Sequence, residues 1–293
     1  MTVGGGVRGA AALLAVVTVV LVGAWPAQAQ QQDQPEKTAA TATPPQERPS
    51  DRAVDPSQPD FMLIALPTNL RIPRFGSAFR VTHRFMRPLG NGSFNDLLGD
   101  GFGIDGSAQV GLEFRFGIMS GTQIGIHRTS DRTIELFGQH QLARQGERLP
   151  VTVDLVGTFE GTNNLRNVYS PAIGAVISRT LGRHGALYFQ PVYVHNSNLL
   201  PSDAVDDNSS FVFGVGARVR VRSTLYLVGE AAPRAGYDPD ATYLSFAVEK
   251  RWGGHSFQVN FSNGFGTTLG QIARGGFDYD TWFLGFNISR KFF

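Results

Sequence analysis

The sequence predicts an all-β fold, an antiparallel up-and-down transmembrane β-barrel of about 12 strands, preceded by a signal peptide and a disordered linker. Three observations predict it. Apolar residues recur at every second position, the alternating segments are long enough to cross a bilayer, and short connections alternate with long ones. The predicted domains are the signal peptide at 1–29, a Pro/Gln-rich linker at 30–60 and an outer-membrane barrel at 61–293.

The composition excludes several classes of protein. Cysteine is absent, which rules out a disulfide framework, thiolate metal sites and cysteine nucleophiles. With 26 Lys and Arg against 24 Asp and Glu, the net charge of +2 gives no support to nucleic-acid binding. The chain has 35 Gly and 22 Phe, and every Phe follows residue 60, which favours strands with one apolar and one polar face.

The N-terminus has the three-part organisation of a secretory signal peptide. Arg8 supplies the charge, residues 10–24 form an apolar run, and Ala27-Gln28-Ala29 matches a cleavage site. The run is shorter than the roughly 20 residues of a spanning helix. Residues 30–60 contain many Pro and Gln and few large apolar side chains, so they cannot bury enough surface to fold. We therefore expect export, cleavage and a disordered linker.

The alternation assigns each strand an outward apolar face and an inward polar face. In residues 108–116, Leu112 and Phe114 fall on one face and Glu113 and Arg115 on the other. The predicted strands are 78–87, 107–116, 122–129, 132–143, 150–160, 168–180, 186–196, 210–222, 224–234, 242–251, 255–264 and 279–293. Most are close to the roughly 9–11 residues that a tilted strand needs to cross a bilayer. A secreted soluble sandwich is the structural alternative.

The connections give an independent indication. Short turns are predicted at 117–121, 144–149, 181–185, 222–223 and 252–254. Between them come long connections such as 88–106, 197–209 and 265–278. Outer-membrane barrels place short turns in the periplasm and long loops outside in this way. An even number of strands also leaves both termini in the periplasm.

Aromatic residues near strand ends fit the interfacial girdle of a membrane barrel. They are Phe79, Phe85, Tyr169, Tyr193, Phe211, Tyr243, Trp252, Trp282 and Phe292. The chain also resembles outer-membrane barrels in ending on phenylalanine. That ending implies recognition of the last strand, through Phe293, by the barrel-insertion machinery; outer-membrane lipid is the other expected partner. The apolar register runs through Phe292 and places Arg290 near the membrane edge.

Several motifs are specific: NGSFNDLLG from Asn91, GIDGSAQVGLEF from Gly103, GIHR from Gly125 and LARQ from Leu142. Together they resemble an uncharacterised family of bacterial outer-membrane β-barrel proteins, known mainly as a domain of unknown function. The resemblance implies a fold and a location, and it implies no activity. Ser93 to Leu98 has the pattern of a short helix, which we expect to fold over or into the barrel mouth.

Charged residues on the inward faces are the candidate functional groups. They are Arg80, Arg84, Glu113, Arg115, Glu135, Asp154, Arg218, Arg220, Arg222, Glu230, Glu249 and Arg251, with Glu160 and Lys291 on the same faces. Two interpretations stay open. Opposite charges can pair and fill a narrow lumen, which gives a structural role. Alternatively, Arg218, Arg220 and Arg222 on one strand can line a passive pore that favours small anionic solutes.

No catalytic residue, metal site or cofactor is predicted. His195-Asn196-Ser197 has the His-x-Ser spacing of outer-membrane phospholipases, and its residues at i and i+2 share one strand face. The rest of that signature is absent, so we do not expect an enzyme. A lipid hydrolase remains the alternative function, together with a ligand-binding or adhesin-like barrel. The acidic loops lack the ligand order of an EF-hand.

Overall fold

The computed structural model describes residues 54–99, 101–103, 106–199, 208–237 and 241–293. The predicted signal peptide and linker residues 30–53 lie outside this part of the chain. The strands are β1 Ser77–Pro88, β2 Ala108–Met119, β3 Thr122–Thr129, β4 Ile134–Ala143, β5 Thr152–Gly161, β6 Asn167–Thr180, β7 Gly185–Val194, β8 Ser210–Arg222, β9 Leu225–Ala232, β10 Arg234–Gly236, β11 Tyr243–Trp252, β12 His255–Ser262 and β13 Phe283–Phe292.

Twelve long strands and the three-residue β10 form one 13-stranded sheet, in which neighbouring strands are antiparallel. The sheet closes on itself because β1 pairs with β13, from Ser77 opposite Phe292 to Arg84 opposite Gly285. The predicted all-β, 12-stranded antiparallel barrel is thereby confirmed. The predicted strand 224–234 is divided into β9 and β10 at Pro233, which has no N–H to donate to a neighbouring strand.

The polarity of the barrel wall is the reverse of that in a soluble protein. Leu112 and Phe114 are 48% and 44% exposed on the outside, whereas Glu113 and Arg115 between them are 3% and 4% exposed. The same alternation continues through the last strand, where Phe292 is exposed and Lys291 is buried. An outward apolar wall is stable only against lipid, so the alternation read from the sequence corresponds to the lipid-facing and lumen-facing sides.

The connections alternate in length as predicted. One end of the barrel, the turn end, carries the short connections 120–121, 144–151, 181–184, 223–224 and 253–254. The opposite loop end carries 89–107, 195–209 and 263–282, with a short turn at 130–133. It also carries helices α1 Phe94–Gly99, α2 Thr162–Leu165 and α3 Leu269–Ala273, and a 3-10 turn at Gly101–Gly103. No helix in the described ranges is long and apolar enough to span a bilayer.

The short helix predicted near Ser93 is present as α1, but it does not enter the barrel. None of its residues is buried, and Arg87 holds it from outside by donating to the main-chain oxygens of Asn91 and Asp96. The loop that enters is instead the one between β12 and β13, because all five residues of α3 are buried. Its small and apolar sequence, LGQIA, fits a confined space better than the bulky Phe94 and Leu98 of α1.

Two residues assigned to the aromatic girdle lie elsewhere. Tyr243 is fully buried and belongs to a core cluster inside the barrel. Phe85 is buried because Gly103 of the first loop lies against it. The last strand begins at Phe283 and not at residue 279, since the carboxylate of Asp278 accepts the N–H groups of Asp280 and Thr281 and forms a turn there.

Candidate functional site: the occupied lumen

An N-terminal segment fills the inside of the barrel. Residues 57–72, here called the lumen hairpin, reverse direction at Ile64 and Ala65, where Leu63 N–H donates to Leu66 O at 2.7 Å. Met62 and Pro67 form an antiparallel bridge below this turn. Ser57, Gln58 and Asp60 are already buried, so the packed chain begins before the domain boundary predicted after Asp60.

The lumen hairpin enters from the turn end of the barrel. At the end of the hairpin, Arg71 donates to the hydroxyl of Ser120 in the β2–β3 turn, and just after it Phe75 N–H donates to Gly117 O at 2.7 Å. The chain therefore goes in at the turn end, reaches Ile64 in the interior and returns to the same end to begin β1.

Polar side chains of the wall hold the main chain of the hairpin from all around the barrel. The carbonyl of Ile64 accepts from Arg80 and, at 3.0 Å, from Asn287. Four more carbonyls of the hairpin accept a hydrogen bond from the wall, at 2.6–2.8 Å. The carbonyl of Met62 accepts from Arg218, that of Leu63 from Gln258, that of Pro67 from Gln190 and that of Thr68 from Gln139. These donors lie on β1, β4, β7, β8, β12 and β13. The hairpin thus spans the cross-section of the lumen.

Glu230 on β9 holds the tip of the hairpin. Its carboxylate accepts the N–H groups of Ile64 at 3.0 Å, Ala65 at 2.8 Å and Leu66 at 3.1 Å, and the hydroxyl of Ser245 at 2.9 Å. Consecutive N–H groups that point to one place form a binding site for an anion. A buried carboxylate with this many donors is a strong attachment point.

Most charges inside the barrel are paired. Arg218 and Glu249 are 2.9 Å apart, and Glu113 contacts both Arg80 and Arg115. The hairpin contributes one partner, since Asp60 lies 3.4 Å from Lys291 and accepts from the Ser289 hydroxyl at 2.5 Å. Burial opposes ionisation of Asp60, but Lys291, Ser289 and nearby arginines hold its pKa below the usual value.

The loop between β12 and β13 narrows the lumen from the other end. Leu269 N–H at the start of α3 donates to Glu135 at 3.0 Å. Glu160 accepts from the Thr268 hydroxyl and, at 2.6 Å, from Arg274. The two inward carboxylates predicted on β4 and β5 therefore anchor a folded-in loop.

The predicted lumen charges divide into two groups. Nine are buried inside: Arg80, Arg84, Glu113, Arg115, Glu135, Asp154, Arg218, Glu230 and Glu249. Arg220, Arg222 and Arg251 lie at the turn end and are partly or fully exposed. Arg220 donates to the carbonyls of Arg222 and Ser223. Strand β8 extends past the closed interior here, so only Arg218 of the three arginines reaches the lumen, where Glu249 neutralises it.

Sequence reasoning missed the hairpin and an apolar half of the lumen. Inward apolar residues on β6 to β9 pack with Leu63, Ile64 and Leu66 of the hairpin and with Ile272 of α3; they are Val176, Tyr188, Val192, Val212, Tyr226 and Val228. One signal was available. Strand β7 is apolar on both faces except at the inward Gln190, as expected for a wall that contacts lipid outside and a packed segment inside.

The residues of the His-x-Ser pattern have separate partners. The ring of His195 lies 3.2 Å from the hydroxyl of Ser209, and the buried hydroxyl of Ser197 lies 2.8 Å from that of Ser210. Since the hydroxyl of Ser197 is hydrogen-bonded to that of Ser210, this arrangement does not supply a nucleophile activated by a base. Within the described ranges, no three His, Asp or Glu side chains gather as metal ligands.

These features match a known family. The model of the "Membrane bound beta barrel domain (DUF5777)" matches residues 62–292, which include the hairpin from Met62 and every strand. The chain belongs to this family of membrane-bound barrels. The resemblance inferred from the sequence motifs is thereby confirmed, as is the membrane barrel. Among curated proteins, none matches the chain significantly.

The solved structure of one porin shares the fold of this chain, and two further porin structures match it less well. The structure of the porin NanC has 8% sequence identity and a TM-score of 0.50 to this chain, and the match covers 74% of this chain and 99% of NanC. A mutant of Rh. blastica porin has 8% identity and a TM-score of 0.34, over 63% and 55% of the two chains. Salmonella typhi OmpF in complex with daunomycin has 8% identity and a TM-score of 0.32, over 74% and 96%.

Proposed function

We propose that the chain is a passive outer-membrane pore for small solutes, held closed by its own lumen hairpin. The observation that carries the proposal is how the wall binds the hairpin. Arg80, Gln139, Gln190, Gln258 and Asn287 all donate to its main-chain carbonyls. Water can replace each such bond, so the wall stays hydrogen-bonded after the hairpin leaves.

The geometry also supports a direction for opening. The hairpin enters and leaves at the turn end, which in an outer-membrane barrel faces the periplasm. Both of its ends are therefore on that side, and it can withdraw without passing through the narrowed loop end. The closed form is the one described above, and the open form has the polar wall exposed to water.

A preference for small anions follows from the charges that opening uncovers. Withdrawal takes Asp60 away and leaves Lys291 without the carboxylate that lies 3.4 Å from it. It also frees Arg80 from the carbonyl of Ile64 and the carboxylate of Glu230 from three amides of the hairpin, and these two opposite charges offset each other. The loss of Asp60 therefore leaves the wall one charge more positive. Since cations on a pore wall favour anionic solutes, we assign the preference to Lys291 and not to Arg220 or Arg222.

A reversible cross-link tests the pore. Leu63 of the hairpin touches the wall at Gly216, where a Cβ would lie 2.3 Å from Leu63 Cδ1. Because the chain has no native cysteine, the pair Leu63→Cys and Gly216→Cys can form a single, defined disulfide. We expect no conductance in planar bilayers under oxidising conditions and stepwise openings after a reductant is added. The two single-cysteine variants serve as controls and should not respond to the reductant.

The competing function is a structural barrel whose filling never leaves. The apolar contacts of Leu63, Ile64 and Leu66 with β6 to β9 favour it. A reduced double-cysteine variant that remains silent, in bilayers where a reference porin conducts, would contradict the pore and leave this structural role.

A further inference from the structure

Arg84 is a buried cation without a carboxylate partner. It is 0% exposed, and its Nη1 donates to Asn287 Oδ1 at 2.9 Å and to the carbonyl of His83 at 3.1 Å. Its Nε and Nη2 make no hydrogen bond. Across the part of the chain that the structure describes, no Asp or Glu lies within 4 Å of this guanidinium, whereas Arg80, Arg115 and Arg218 each contact one.

A charge buried in this way is unfavourable. Arginine stays protonated in proteins, so Arg84 cannot avoid the cost of burial by losing its proton. The groups that act on its charge are the buried hydroxyl of Tyr243, which favours it, Arg80, which repels it, and Glu230, which attracts it. Glu230 is already bound to three N–H groups of the hairpin and to Ser245. A further negative charge beside Arg84 would therefore be electrostatically favourable.

Other buried polar atoms without partners lie on the same part of the wall. They are Oγ1 of Thr82, Nε2 of His127 and the side-chain amide of Asn260. Two inward glycines make space for them. A Cβ at Gly111 would lie 2.4 Å from His127 Nε2 and 2.5 Å from Thr82 Oγ1.

The second glycine, Gly285, does the same beside the arginine. A Cβ there would lie 2.7 Å from Asn260 Oδ1 and 2.8 Å from Arg84 Cδ. Hydroxyl and amide groups can donate to an anion, as can the free edge of the guanidinium. The wall of β1 and its neighbours thus collects donors around Arg84.

We propose that Arg84 is the centre of a binding site for a small oxyanion of the size of a carboxylate. The free Nε and Nη2 edge presents two parallel N–H groups, which match the two oxygens of such an anion. The amide of Asn260 and the hydroxyl of Thr82 are the additional donors.

The site lies next to the tip of the hairpin. Asn287 accepts from Arg84 and donates to the carbonyl of Ile64, so one side chain joins the anion site to the gate. A role in passage rests on the proposed pore, and it deepens that function by naming the solute class. Binding itself does not require the pore to open to the outside, so the two can be tested separately.

Bromide provides a direct probe of the site. In crystals of the full chain grown with sodium bromide, we expect an anomalous peak within hydrogen-bonding distance of Arg84, and we expect equimolar sodium acetate to remove it. Arg84→Gln should lose the peak. Arg290→Gln, which removes an exposed outward arginine, should retain it. Bromide bound only elsewhere, or a peak that survives Arg84→Gln, would overturn the proposal.

Thermal unfolding gives a second readout that needs no crystal. At constant ionic strength, rising acetate should raise the melting temperature of the wild-type barrel and leave that of Arg84→Gln unchanged. Equal shifts in both would contradict the site. If Arg84→Gln does not fold, Arg84→Lys replaces it, because it keeps the charge but loses the two-pronged edge and should shift less than wild type. A barrel that never conducts would refute the pore and leave these results unaffected.

Discussion

The carboxylate of Glu230 accepts the backbone N–H of Ala65 at 2.8 Å, which joins the middle of strand β9 to a turn 165 positions earlier in the chain. The same carboxylate also accepts from Ile64 and Leu66, so it holds the turn through three successive amides. These three bonds go to the main chain, so Glu230 holds the tip of the hairpin through its backbone and not through a side chain.

Glu230→Gln should loosen the gate. The amide keeps the shape of the carboxylate but loses its charge and one acceptor oxygen, and hydrogen bonds to charged groups contribute about 1.5–3 kcal/mol each. We expect the open probability in planar bilayers to rise. Asp280→Asn, which neutralises an exposed carboxylate at the loop end, is the control and should behave as wild type. Unchanged gating in Glu230→Gln would show that the tip is held by other contacts.

Removing one member of the Arg218–Glu249 pair should destabilise the barrel strongly, whereas replacing both members by apolar residues should destabilise it much less. Arg218→Met alone leaves the buried Glu249 without its cation, with only the amide of Gln258 still donating to it, and such losses reach about 3–5 kcal/mol of the free energy of unfolding. Combining it with Glu249→Leu should recover a large part of this loss. Urea unfolding of both single variants and the double variant measures the coupling. Additive losses would argue against a direct interaction.

Two glycines on adjacent strands should respond differently to alanine. At Gly125, a Cβ would lie 2.2 Å from Phe137 Cζ, and Phe137 stacks under the guanidinium of Arg115 at 4.4 Å. Gly125→Ala must displace that ring, which should destabilise the barrel by about 1–3 kcal/mol. Gly138 faces outward with no atom closer than 3.9 Å, so Gly138→Ala should be neutral or stabilising. The difference between their unfolding midpoints is the measurement.

Glu160 should control the loop between β12 and β13, which folds into the barrel. It accepts from Thr268 and Arg274 on either side of α3, and Arg274 is largely buried. Glu160→Gln weakens both interactions, so trypsin added to intact cells should cleave after Arg274 faster than in wild type. The matched control is Glu147→Gln at the opposite end. Equal cleavage rates would indicate that the apolar residues of α3 hold the loop by themselves.

The wall of the barrel could be predicted from the sequence because its signal is local. Apolar and charged residues alternate along Leu112, Glu113, Phe114 and Arg115, so the sequence assigns each one to the outer or inner face. Neighbouring strands repeat the pattern. Burial of Glu113 and Arg115 required no knowledge of distant residues.

The contents of the lumen could not be predicted in this way. The wall binds main-chain carbonyls of Met62, Leu63 and Ile64. Every residue has such a carbonyl, so the sequence does not indicate which of them are bound. The partners of the inward charges were equally hidden, since Arg218 and Glu249 lie on β8 and β11, which are not adjacent. The helix that enters the lumen is α3, with its small residues, and not α1, which carries the specific motif.

The carbonyl of Ile64 accepts from Arg80 on β1 and from Asn287 on β13, the two strands whose pairing closes the cylinder. The first and last strands of the barrel, β1 and β13, are thus linked inside the lumen by the hairpin, which precedes β1 in the chain. When the hairpin leaves the lumen, the hydrogen bonds that link β1 and β13 through Ile64 are lost. In the proposed pore, opening and the lateral stability of the cylinder in the membrane therefore depend on the same peptide group, the carbonyl of Ile64.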